Sequence, residues 1–160
     1  MKDIFQLLKH QWRPASTMLM LGFSAGLPIL LIFSTLSLWL AQAGVEKSAV
    51  TYFSWAALGY SFKFVWAPLV DQLEIPFLSR WLGRRRAWLL LSQFMVMASI
   101  VGMALIDPAQ DAGLTSMALA AVALGFSSAT QDVVIDAFRI EVADKEVQAL
   151  LASTYIAGYR

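Results

Sequence analysis

Long apolar runs alternate with short polar connectors along the whole chain. Apolar residues dominate 16–43, 48–70, 87–106 and about 114–137, and a fifth run begins near Val147 ("VQALLASTYIAGYR"). The connectors are brief: "AGVEKS", "DQLEIPFLSRWLGRRR", "DPAQDAG" and "FRIEVADKE". Gly44, Pro76, Gly83, Pro108 and Gly113 supply their turn chemistry. About 20 apolar residues carry a helix across the roughly 30 Å hydrocarbon core of a bilayer. The pattern therefore predicts an all-α polytopic membrane protein. It has four full transmembrane helices and the start of a fifth, with residues 147–160 too few to cross. "AQA" at 41–43 looks like a signal-cleavage site. The run before it is near 25 residues, however, against roughly 7–15 for a signal core, so it reads as a retained span.

Composition supports this reading. Of 160 residues, 59% are hydrophobic and only 14% charged, where a globular domain carries about a quarter charged. Mean hydropathy is +0.64. The net charge of +1 points to no nucleic-acid partner, because what counts is where the charges fall. Lys2, Lys9, Arg13, Arg80, Arg84, Arg85, Arg86, Arg139 and Lys145 lie on one side of the predicted spans, and only Lys47 lies in the other set of loops. By the positive-inside bias, residues 1–15 form a cytoplasmic N-terminus, and the bundle occupies 16–160.

Polar groups inside the spans carry the candidate chemistry. The inner end of the fourth run reads "SSATQDVVIDAFRIE". At 1.5 Å per residue, Asp132 lies roughly 10–12 Å to the cytoplasmic side of that helix's middle, with Asp136 one turn further at the headgroup boundary. A carboxylate in hydrocarbon costs several kcal/mol and marks a functional candidate. Asp136 with Arg139, three residues on, reads most simply as a solvated ion pair at a helix end. Gln131 and Asp132 are harder to explain that way. Lys63, in "GYSFKFVWAP", lies at a depth comparable with Asp132. Either it is a functional lysine, paired or substrate-binding, or it snorkels its ammonium to the interface. In the first span, Gly22 and Gly26 suit close helix packing. Pro28 must break a backbone hydrogen bond and bend the helix, and with Ser34, Thr35 and Ser37 this suggests a helix lining a cavity. Most tryptophans fall near span ends as interface anchors. Tyr52, Trp55 and Tyr60 could stack on a sugar ring, though packing is the simpler use.

Some chemistries have no residues to run them. The chain lacks cysteine, and its single histidine, His10, precedes the first span. No phosphate-binding glycine loop, zinc-spaced set or nucleophile elbow is present, so neither metal hydrolysis nor Ser-His-Asp catalysis is expected. Buried carboxylates with a lysine in a kinked helical bundle suit translocation or proton relay instead, with no cofactor and no enzymatic activity expected.

The connector "APLVDQLEIPFLSRWLGRRRAW" resembles the signature loop of major facilitator superfamily transporters. Ala67 stands where that pattern has a glycine, and Asp71 and Gly83 are twelve residues apart rather than about three. The stretches "GFSAGLPILLIFSTLSLWLAQAGV", "TYFSWAALGYSFKFVWAPLVD", "LGRRRAWLLLSQ" and "FSSATQDVVIDAFRIE" are similar to the AmpG muropeptide permeases of Gram-negative bacteria, from about Leu21 to Arg160. The resemblance implies the N-terminal part of a major facilitator superfamily bundle whose partner half is missing. It further implies proton-driven import of anhydro-muropeptides (N-acetylglucosamine linked to 1,6-anhydro-N-acetylmuramic acid, with or without peptide) across the inner membrane. That import serves cell-wall recycling and, indirectly, β-lactamase induction. Asp71, Gly83, Arg84, Arg85 and Arg86 take the family's cytoplasmic gate role, with Asp136 and Arg139 expected to join that gate. Transport of another bulky anion such as an acyl-CoA, or a truncated bundle that does not transport, stands as the alternative.

Overall fold

The computed structural model describes residues 12–46, 53, 58–108, 110, 113–142 and 145–160, and every regular element among them is helical. In chain order these are α1 (Trp12–Gln42), α2 (Leu58–Gln72), α3 (Leu78–Leu82), α4 (Arg84–Ala104), α5 (Gly113–Val142) and α6 (Lys145–Tyr159). Three of them, α1, α4 and α5, are long and apolar enough to cross a membrane. The fourth expected full span, second in chain order, is described only in part. The described part of the second is only the 15-residue α2, and the start of the predicted 48–70 run lies outside the described residues. So do Lys2, Lys9, His10, Lys47, Tyr52, Trp55 and Asp111.

Two further boundaries differ from the sequence pattern. The fourth run was expected to end near Ala137, yet α5 continues as helix to Val142. Phe138, Arg139, Ile140 and Glu141 are sound helix formers with no glycine or proline among them, so a polar composition did not stop the helix. The connector after α2 contains a helix of its own, α3, where only loop was expected.

The chain forms two compact units, one of residues 28–134 and one of 1–27 with 135–160. In the first, Ile32, Leu36 and Leu40 of α1 pack with Val96 and Met103 of α4 and with Met117, Ala121 and Leu124 of α5. The distal half of α1 owes its burial pattern to Pro28. With no N–H to donate, proline interrupts the ladder, and a π-helical turn over Leu31–Leu36 follows. Pro28, Ile32, Leu36 and Leu40 are buried at a constant spacing of four. A regular α-helix would carry such a series about 40° further around per step. The wider turn keeps it on one face. Beside it lies an apolar cavity of about 160 Å³ lined by Leu31, Thr35, Trp39, Ile100, Met103 and Leu124.

The second unit is built on backbone contact. A Cβ placed on Gly22 would collide with the carbonyl of Tyr155, and one on Gly26 would stand 2.5 Å from the carbonyl of Tyr159. Gly158 of α6 makes the reciprocal approach to Leu19 of α1. In lipid, helices gain little by hiding apolar surface from one another. Close backbone approach at small residues supplies the packing energy instead.

Candidate functional site

Five consecutive residues of α5, Ser127 to Gln131, are buried. A helix covered all round at this level must find partners for each polar group it carries. Ser127 and Thr130 solve this internally, donating to the carbonyls of Ala123 and Phe126 at 2.6 and 2.8 Å. Ser128 and Thr130 also meet partners on α2. Tyr60, Lys63 and Trp66 recur every three residues and so share one face. Tyr60 donates its hydroxyl to Ser128 Oγ at 2.6 Å, and Trp66 donates Nε1 to Thr130 Oγ1 at 3.2 Å. The Trp66 ring also lies against Phe126, with centroids 4.7 Å apart.

Between these two contacts Lys63 Nζ donates to Asp132 Oδ2 at 2.9 Å, a direct ion pair with side chains 32% and 20% exposed. The lysine is therefore held by the acid. Partial exposure leaves the pair open to one side while α2 and α5 screen the rest. Gln131, fully buried, adjoins it on α5. An ammonium and a carboxylate placed this way can do two things. They can exchange partners with an incoming anion, and they can separate when the carboxylate takes a proton.

At the end of α2 a second pair forms: Arg85 Nη1 donates to Asp71 Oδ1, with the arginine side chain 15% exposed. Trp88 Nε1 reinforces the junction by donating to the carbonyl of Leu73 at 2.8 Å. Gly83 begins α4 with φ 80° and ψ 157°, a conformation essentially reserved for glycine. Any other residue there would resist the turn that aims Arg85 at Asp71. Of the arginines expected at the gate, the structure brings only Arg85 to Asp71. Arg139 is engaged elsewhere, with Nη2 donating to Asp136 Oδ1 at 3.2 Å within the other unit. That is the helix-end pair the spacing suggested.

Sequence reasoning missed the contacts of Tyr60 with Ser128 and of Trp66 with Thr130. The three-residue spacing from Tyr60 through Lys63 to Trp66 was the available signal. Tyr60 was weighed for sugar stacking, but its hydroxyl is committed to α5.

Comparison with known proteins gives the family. The family model described as acetyl-coenzyme A transporter 1 matches residues 16–159, nearly the whole chain. The chain belongs to that family. Among curated relatives of this family member, a putative transporter AmpG 4 of Rickettsia felis is 43% identical over 140 residues, covering 88% of this chain and 33% of the relative. An anhydromuropeptide permease of Escherichia coli K12 is 36% identical over 156 residues, 97% of this chain and 30% of the permease. The chain thus spans about a third of the length of these relatives. Apolar helices and transporter relatives together make it a multi-pass membrane protein of a transporter family.

Proposed function

We propose that this chain supplies the first helices of a bacterial inner-membrane permease of the major facilitator type, importing anhydro-muropeptides on the proton gradient for cell-wall recycling. Its N-terminus is cytoplasmic in this reading. The observation that carries the proposal is the Lys63–Asp132 ion pair between two helices of a membrane bundle. A muropeptide presents carboxylates, and Lys63 is a cation held ready beside an acid. Protonation of Asp132 cancels its hold on the ammonium, which is then available to the substrate. Loss of the proton restores the pair and expels the anion. Proton and substrate thereby compete for opposite halves of one ion pair, which is a minimal coupling device. Gln131 offers an amide at the same level, and Asp71 with Arg85 latches the cytoplasmic end of α2 to α4. Recycled fragments delivered this way would also reach the machinery that induces β-lactamase and so bear on β-lactam resistance.

The name of the family model supports a second reading, carriage of a bulky anion such as an acyl-CoA by the same lysine. One experiment separates the two. The 156 aligned residues replace the matching segment of the E. coli permease, in cells lacking their own permease. Uptake of labelled anhydro-disaccharide and of labelled acetyl-CoA is then measured with and without a protonophore. The proposal expects disaccharide uptake that the protonophore abolishes and that Lys63→Ala eliminates with membrane insertion intact. Normal uptake by Lys63→Ala would sink the role given to the ion pair. Uptake of acetyl-CoA alone would replace the substrate.

A further inference from the structure

The connector between α2 and α4 places bulky apolar side chains and arginines together in the open. Trp81 is 90% exposed and Phe77 80% exposed, the former on α3 and the latter just before it. Leu73 and Leu82 add 52% and 40% exposure nearby. Phe77 adopts φ 67° and ψ −52°, and the Leu78 N–H donates to the Pro76 carbonyl at 2.8 Å across it. This is a γ-turn with positive φ, a strained conformation for a residue with a large side chain. The turn points the ring outward rather than into the bundle. Arg80 and Arg86 are exposed and Arg84 half-exposed, and none of the three makes an ion pair among the described residues. Arg85 is already committed to Asp71. Glu74 is the one exposed acid in the segment.

Position gives this patch its meaning. α3 lies between the end of α2 and the start of α4, and since α4 is long and apolar enough to span from Arg84 on, its start sets this connector beside the bilayer boundary. Tryptophan is favoured at that boundary, and each arginine near an anionic surface gains about fivefold in partition. We propose that α3 is an elbow lying on the leaflet at this end of the bundle. Phe77 and Trp81 enter the acyl boundary, and Arg80, Arg84 and Arg86 bind the phosphates of anionic phospholipids. The long connector is thus a lipid-reading element attached directly to the Asp71–Arg85 latch. This rests on the membrane-spanning character of the chain and on no substrate.

The chain contains no cysteine, so Leu82→Cys gives a single site for a nitroxide label beside Trp81. The labelled chain is reconstituted in phosphatidylcholine vesicles with and without phosphatidylglycerol. Accessibility of the label to oxygen and to a water-soluble nickel complex then reads its depth, and native mass spectrometry of the purified chain reads which lipid it retains. The label should be reached by oxygen and hidden from nickel, more so with phosphatidylglycerol. Phosphatidylglycerol should be retained over phosphatidylcholine, and each of Arg80→Gln, Arg84→Gln and Arg86→Gln should cut that preference about fivefold. Trp81→Ala should move the label toward water. Both aromatic side chains lie outside the core, so their replacement leaves folding intact. A label equally open to nickel in both vesicles would overturn the proposal, as would equal retention of the two lipids. A label shielded from both reagents would assign the patch to protein contact instead.

Discussion

Gly26→Ala adds a single methyl at the α1–α6 crossing, where the structure leaves no room for it. The new Cβ would stand 2.5 Å from the Tyr159 carbonyl oxygen, and ordinary contact between such atoms needs roughly 0.8 Å more. The obstacle is backbone rather than the tip of a flexible side chain, so the helices themselves must part. Forcing an extra methyl into a packed contact costs about 2 kcal/mol. Alanine recovers about 1 kcal/mol through its better helix propensity. The expected net loss is therefore about 1 kcal/mol. Gly102→Ala makes the same chemical change in α4, at a position with nothing within 4 Å of the added atom. It should gain up to about 1 kcal/mol by propensity alone. Two identical substitutions thus differ by about 2 kcal/mol and in sign. Detergent-driven unfolding of the purified chain, followed by far-UV circular dichroism in mixed micelles, measures both. If Gly26→Ala stabilises the chain as Gly102→Ala does, the close crossing is not a source of stability and the reasoning fails.

Two further outcomes follow from the polar contacts. Lys63→Met or Asp132→Asn alone should each cost about 2 kcal/mol, below the roughly 3–5 kcal/mol for a fully buried pair. The double variant should unfold closer to the native chain than either single, and strict additivity in a double-mutant cycle would show that the pair is not coupled. Gly83→Ala places a side chain at φ 80° with no clash to relieve, so a backbone cost of about 1–3 kcal/mol falls on the first turn of α4. Trypsin should then cleave faster at Arg84, Arg85 and Arg86, and unchanged cleavage would argue against a glycine requirement there.

Much of this was legible because lipid makes a simple demand on sequence. Continuous apolar runs announced α1, α4 and α5, and depth counting along two of the runs placed Lys63 and Asp132 at one level before any contact was known. Depth says nothing about azimuth, however. Which residues of α5 would meet Tyr60 and Trp66 depends on how two helices are rotated, and a smooth apolar surface encodes that only weakly. The four arginines between Arg80 and Arg86 were equally eligible partners for Asp71. The strained turn at Phe77 and the glycine geometry at Gly83 decide for Arg85. α3 itself was hidden by brevity, since five residues cannot display a helical period.

The π-helical turn in α1 makes residue count a structural quantity. It accommodates the four-residue spacing from Pro28 to Leu40, which a strictly regular helix would wind out of phase with the core. Removing one residue between Leu31 and Leu36 would let the helix revert to regular geometry, and the eleven residues left from Pro28 would bring Leu40 to within about 20° of its present direction. A residue removed from the regular part of α1 before Leu31 finds no such slack and turns everything beyond it by about 100°, so Leu36 and Leu40 would swing off the core. The wide turn is thus the stretch of α1 where the chain can lose a residue and keep its register.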